Sequence, residues 1–154
     1  MNNSINLKKG FTLPELVVVI TILAILSLIS ISVFKNFRDQ EALTKDNGLI
    51  VEVLRQAKSL TLNSKSSNQY GVHFGTNSVV LFICPTYSSS ASTNLVYNLN
   101  PDVRISNISL SGGGSDLLFQ KLSGETVNNG TITLTSVSAG TTKVITIYKT
   151  GLVE

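Results

Sequence analysis

Few residues in this chain are of types that do chemistry, and the patterns they form fall short of what catalysis needs. His73 is the single histidine, set in the strand-like string Gln69-Tyr70-Gly71-Val72-His73-Phe74 with no neighbouring Cys, His or carboxylate cluster. A metal ligand set or a general base needs such company, so His73 reads as a structural or surface residue. Cys84 is the single cysteine and closes the apolar run Val79-Val80-Leu81-Phe82-Ile83. It has no intramolecular disulfide partner and reads as a buried, inert thiol. Lys149-Thr150-Gly151 and Ser32-Val33-Phe34-Lys35 match two of the three motifs of penicillin-binding enzymes, but the Ser-Asp-Asn motif is missing and Ser32 ends an apolar run. Gly112-Gly113-Gly114 lacks the Lys-Ser/Thr that a phosphate cradle needs, and reads as a flexible turn. No enzyme activity, cofactor or metal is expected. The most unusual placement belongs to Glu15, a carboxylate directly abutting uncharged, apolar sequence.

That sequence is the first element to place. Residues 16–34 hold 15 apolar residues and no charge, a span of about 28 Å as a helix, close to the hydrocarbon thickness of a bilayer. Lys8 and Lys9 precede it without a compensating acid, whereas Lys35 and Arg38 after it are offset by Asp39 and Glu41. The positive-inside rule then puts the N-terminus in the cytoplasm and the remainder of the chain outside. Residues 35–62 keep helical spacing but become amphipathic. Leu43, Ile50, Leu54, Ala57 and Thr61 share a stripe, joined by Val53 and Leu60, while Arg38, Lys45, Glu52, Arg55 and Lys58 point elsewhere. Such a stripe needs a sheet to cover, and Asp46-Asn47-Gly48 marks a possible kink or break.

Beyond the polar loop at 63–68, short β-like runs alternate with turns: 69–74, 79–84, 95–99, 103–110, 116–122, 131–136 and 143–149. The first two, around Gly75-Thr76-Asn77-Ser78, read as a hairpin. Alternation at Thr131–Thr135 and Lys143–Tyr148 indicates strands with one wet face. The connections Pro85–Asn94 and Ser111–Ser115 are the expected mobile or contact-forming loops.

Composition agrees with this division. The chain has 154 residues, 42% of them hydrophobic and only 14% charged, too few charges for one ordinary soluble domain. The deficit has two sources: the uncharged 16–34 segment, and residues 63–154, where 44 of 92 are Ser, Thr, Asn or Gly. The formal net charge is +3, but Lys8 and Lys9 supply two of these charges. Residues 35–154 carry ten basic against eight acidic residues with no basic block, which argues against a nucleic-acid arm.

The string Lys8-Lys9-Gly10-Phe11-Thr12-Leu13-Pro14-Glu15-Leu16, followed by the apolar run, resembles the prepilin signal of type IV pilins and type II secretion pseudopilins. The resemblance implies cleavage between Gly10 and Phe11 by a membrane-embedded prepilin peptidase, N-methylation of Phe11, and Lys8 and Lys9 as the basic part of a leader at 1–10. It also implies that Glu15 meets the N-terminal amine of a neighbouring subunit. Pairing would offset the desolvation of both charges and fix register. Pro14 departs from the family's commoner large aliphatic residue, but falls in the first helical turn, where its missing N–H costs little.

The β-rich part is similar to GspH/FimT-type minor pilins and pseudopilins, on Tyr70-Gly71-Val72-x-Phe74, on Phe119 followed by Gly124, and on Ile145-Thr146-Ile147-x-x-x-Gly151. The expected fold is α+β: a long N-terminal helix, with a membrane-spanning or filament-core half at 11–34 and an amphipathic half at 35–62, packed on an antiparallel β-sheet domain at 63–154. The expected role is a minor structural subunit. Its partners would be other pilin or pseudopilin subunits, the prepilin peptidase and an inner-membrane assembly platform, first in the membrane and then in a pilus or pseudopilus. A tip-binding subunit for adhesion or DNA uptake, a major pilin and an anchored domain that never polymerises are the alternatives. The tail Lys149-Thr150-Gly151-Leu152-Val153-Glu154 has one lysine offset by a glutamate and the terminal carboxylate, a poor phosphate grip.

Overall fold

The computed structural model describes residues 10–63, 68–83 and 86–154; the side chains of residues 28–33, 35 and 36 are outside the described set. Lys8, Lys9, Cys84 and most of the polar loop after the helix therefore lie outside the described residues. Among the described residues one helix, α1, runs over Leu13–Asn63, followed by seven strands: β1 Tyr70–Phe74, β2 Ser78–Ile83, β3 Leu95–Asn98, β4 Val103–Leu110, β5 Asp116–Leu118, β6 Gly130–Ser136 and β7 Thr142–Ile147. The chain divides into two compact units, Met1–Phe37 and Arg38–Glu154.

In the second unit, the helix stripe expected from spacing is the buried one. Leu43, Ile50, Val53, Leu54 and Ala57 are each at most 2% exposed, and each of the four larger aliphatics contributes roughly 1.5–3 kcal/mol when fully buried. They form one core with Val72, Phe74, Val79, Leu81 and Leu117 of β1, β2 and β5 and with Ile105, Ile132, Leu134, Ile145 and Ile147 of β4, β6 and β7. The α+β architecture, a helix packed on antiparallel sheet, is as the sequence pattern indicates, with one refinement. The strands form two sheets: β3-β2-β1-β5 and β4-β6-β7, with every pairing antiparallel.

The Asp46-Asn47-Gly48 string does not break the helix. Asp46 lies on the buried stripe, one turn from Leu43 and Ile50, and its Oδ2 accepts the backbone N–H of Asn100 at 2.7 Å. Asp39, two turns earlier, is likewise buried and accepts the Ser138 hydroxyl at 2.7 Å. A carboxylate at the buried edge of a helix is tolerated when it receives such bonds, so these two acids tie the loops after β3 and β6 to the helix. At the other end, Thr61 is buried; its hydroxyl donates to Ala57 O at 2.8 Å and accepts the Tyr70 N–H at 3.1 Å, joining α1 to β1.

The connection before β3 is not a free loop over residues 86–94. Its Tyr87 ring stacks on His73 (centroids 3.8 Å apart, planes 7° apart) and meets Phe82 edge-on at 5.5 Å. Phe82, on the face of the sheet turned away from α1, is thereby 1% exposed. Gly71 makes room for it: a Cβ there would sit 2.6 Å from Phe82 Cζ and 2.8 Å from Leu117 O. Farther along, Asn94 Nδ2 donates to Ser88 O at 2.7 Å and closes the loop on itself. The Ser111–Ser115 connection is also held, by Ser111 N–H to Asn129 O and by Phe74 N–H to Ser115 O, both 2.8 Å.

Candidate functional site

The residues singled out at the N-terminus meet at the start of α1. Thr12 is the helix cap: its carbonyl accepts the first intrahelical bond, from Leu16 N–H at 3.1 Å. Three residues on, the Glu15 carboxylate reaches back, Oε2 accepting the Thr12 N–H at 3.4 Å. Thr-x-x-Glu is the capping-box spacing, and the carboxylate also lies at the positive end of the helix dipole. Pro14, between them, occupies a first-turn position whose N–H has no intrahelical acceptor, so proline is accommodated as its place in the sequence implies. Gly10 and Phe11 precede the helix, with Phe11 82% exposed. Gly10, Phe11, Thr12 and Glu15 line an open recess.

Chemically, this arrangement offers two things. The Gly10–Phe11 peptide lies in irregular backbone outside the helix, the form in which a protease binds a chain, and Gly10 presents no side chain against an approaching catalytic group. Glu15 holds a carboxylate within one turn of what cleavage at that bond would make a new amino terminus. The capping box was readable in the sequence as a Ser/Thr-x-x-Asp/Glu string before an apolar run, a signal the reading of Glu15 as a register group passed over.

Downstream, Leu16, Val17, Val18, Val19, Ile20, Ile22, Leu23, Ile25 and Leu26 are each about half exposed, on every side of the helix. A helix that is apolar all round requires lipid or other helices as its surroundings. Its two described hydroxyls are satisfied, Thr21 Oγ1 donating to Val17 O at 2.7 Å and Ser27 Oγ to Leu23 O at 2.8 Å, as an apolar environment demands. Among the described residues no helix is long and apolar enough to cross a membrane; residues 28–33, within the 16–34 segment, have side chains outside that set.

The other candidates are drawn into structure. His73 Nδ1 lies 2.6 Å from Asp116 Oδ1 and its ring is covered by Tyr87. The described residues hold no group of three or more His, Cys, Asp or Glu placed to bind a metal. Lys149-Thr150-Gly151 forms a turn at the C-terminus, where Lys58, expected off the apolar stripe, donates from Nζ to Thr150 O at 3.0 Å and Gly151 O at 3.2 Å. Gly151 has φ +71°, and a Cβ on it would lie 2.1 Å from Gly124 O. Two glycines of the quoted C-terminal motifs thus touch each other beneath Lys58. The tail is pinned back on β7, Thr146 and Glu154 exchanging backbone bonds at 2.7 and 3.0 Å.

Residues 5–31 match a family model described as the prokaryotic N-terminal methylation motif. No curated protein and no solved structure gives a significant match to the chain.

Proposed function

We propose, starting from the type IV pilin and pseudopilin signature that residues 5–31 carry, that this chain is a structural filament subunit. The chain is cleaved between Gly10 and Phe11 by a prepilin peptidase, methylated on Phe11, and built into a pilus or pseudopilus through residues 11–34. The observation that carries this reading is the match of the motif to a helix start where Gly10 and Phe11 are exposed and Glu15 sits one turn away. Lys8 and Lys9 belong to the leader and hold it on the cytoplasmic side, leaving the β-rich unit outside the membrane. The helix, apolar on all sides, passes from lipid to a bundle of like helices without changing the polarity of its surroundings. Such transfer needs little free energy, so register must come from specific pairs.

Glu15 supplies that pair. In the single chain its carboxylate is held by Thr12 N–H at a long 3.4 Å, a weak bond that an incoming ammonium group readily replaces, because charge-assisted hydrogen bonds are about twice as strong. The finer assignment to a GspH/FimT-like minor subunit is supported by the motif glycines Gly71, Gly124 and Gly151, each of which stands where a side chain would collide with a neighbour.

The test is Glu15→Val in cells that assemble the filament. Membrane insertion should persist, while incorporation falls by more than about tenfold, since leaving one buried charge unpaired costs roughly 3–5 kcal/mol. Wild-type levels of incorporation would remove Glu15 from the register.

A further inference from the structure

Among the described residues, the outer strands of the two sheets are guarded by the chain itself in all cases but one. On β5 the Asp116 carbonyl accepts the Asn128 side-chain N–H at 3.0 Å, and Phe119 beyond it bridges to Thr126. On β4 the Ile105 N–H donates to Thr76 O at 2.8 Å, and a bulge between Ile105 and Asn107 interrupts the edge. On β7 the C-terminal tail bonds to Thr146 and to the following Tyr148, and Lys143 stands on the rest of the strand. Bulges, lysines and covering segments are the devices by which sheets avoid adventitious pairing. The exception is β3, Leu95-Val96-Tyr97-Asn98, which carries no charge, proline or bulge.

The register shows which backbone groups β3 leaves open. Leu99 N–H donates to Asn77 O at 3.0 Å and continues the β2–β3 ladder, in which Tyr97 lies opposite Val79 and Leu95 opposite Leu81. Hydrogen-bonded pairs alternate along an antiparallel ladder, so Leu95, Tyr97 and Leu99 bond to β2. Gly75 N–H donates to Ser78 O at 2.9 Å, which by the same alternation turns Ser78 and Val80 toward β1. The N–H and C=O of Val96 and Asn98, opposite them, therefore point away from the sheet, and among the described residues nothing bonds to them. These two residues are about 6.8 Å apart, the repeat of a β-strand. Their strand is held in place: Tyr97 O–H donates to Gln56 Oε1 at 3.2 Å, and the preceding loop is closed on itself by Asn94. Leu95 and Val96, on opposite faces, are 52% and 57% exposed, so a strand laid along this edge covers apolar surface on both.

We infer that the β3 edge takes an extended segment of a different protein as an added antiparallel strand. Alternating donors and acceptors at this spacing are matched by peptide backbone, the mode in which sheet edges recognise peptides. The side chains define the segment further: an apolar residue opposite Val96, a second opposite Leu95, and a polar residue opposite Asn98. A second copy of β3 is a poor match, because the antiparallel register that bonds both residues sets Val96 against Asn98. The inference goes beyond the filament reading and does not depend on it.

The test titrates the full chain in detergent against a fluorescent peptide, acetyl-Lys-Thr-Thr-Val-Ile-Thr-Lys-amide, followed by anisotropy. Its first Thr, Val and Ile lie opposite Asn98, Val96 and Leu95. Binding should saturate. N-methylation of that Thr and of the Val, whose N–H groups face β3, should abolish it, whereas N-methylation of the intervening Thr and of the Ile should not. Asn98→Pro removes an outward N–H that the β2 pairing does not use, a change that edge strands tolerate; it should weaken binding about fivefold, as the loss of one hydrogen bond does. Val96→Lys keeps the backbone and adds an edge guard, so it carries the test if the proline variant does not fold, and should weaken binding at least as much. Val144→Lys on β7 should leave binding unchanged. Absence of saturable binding overturns the inference, as does equal binding by both N-methylated peptides or by the folded β3 variants. A peptide-free dimer that Val96→Lys dissociates also overturns it, by making a second copy the occupant.

Discussion

Replacing Gly151 by alanine should destabilise the β-rich unit far more than the same replacement at Gly140, and the difference can be worked out from the backbone. Both glycines are left-handed, with φ of +71° and +66°, so both substitutions incur the cost of placing an L-residue there, about 1–2 kcal/mol. At Gly140 nothing lies within 4 Å of the added Cβ, and that cost is the whole effect. At Gly151 the Cβ would stand 2.1 Å from Gly124 O and 3.2 Å from Lys58 Nζ. The first contact is with backbone, so the turn must move and the two Lys58 bonds with it, adding about 1–3 kcal/mol on the scale of overpacked cores. Gly151→Ala should then cost about 2–5 kcal/mol against a typical domain stability of about 5–15 kcal/mol. Thermal unfolding of the full chain in detergent, followed by circular dichroism, should show a midpoint lowered by about 10 °C or more for Gly151→Ala and by roughly 5 °C for Gly140→Ala. Equal shifts would mean that the close approach of Gly151 to Gly124 does not contribute, and the role given to this turn would be lost.

Two other outcomes follow from the same end of the molecule. Lys58→Met keeps the alkyl stem but removes the ammonium bonds to Thr150 and Gly151, and should cost about 1–2 kcal/mol, read in the same melt; Arg55→Met, on the exposed face of the helix, should leave the midpoint within about 2 °C. The C-terminal tail, with Lys149 as its only base and both ends of its turn bonded back to the strand, should give no salt-dependent mobility shift with duplex DNA, and a shift that weakens between low and high salt would revive the DNA-uptake alternative.

Periodicity accounts for most of what could be read in advance. The buried stripe Leu43, Ile50, Leu54, Ala57 and Thr61 follows from helical spacing alone, and the seven strands follow from alternation and turn residues. The strand expected over 116–122 stops at Leu118 because Leu122 turns into the left-handed region and Phe119 bridges to Thr126. What spacing does not carry is the identity of partners distant in the chain. The split into two sheets depends on β5 returning to β1 rather than joining β4, a choice made by packing. Asp39 and Asp46 fall on the buried stripe by number, but only the loops at Ser138 and Asn100 make their burial tolerable. Tyr87 looked like part of a polar loop because its partners, His73 and Phe82, lie on strands already passed. At the N-terminus the reverse holds: Gly10, Phe11, Thr12 and Glu15 are close in sequence, so their grouping at the start of α1 needs no distant partner.

The central claim is that this chain is processed as a filament subunit, and its mature mass tests that most directly. The full chain, made with an active prepilin peptidase and extracted from the membrane, should have lost residues 1–10 and gained one methyl group, with fragmentation placing the methyl on the amine of Phe11. A chain recovered at full length, or cut at any other bond, would contradict the account.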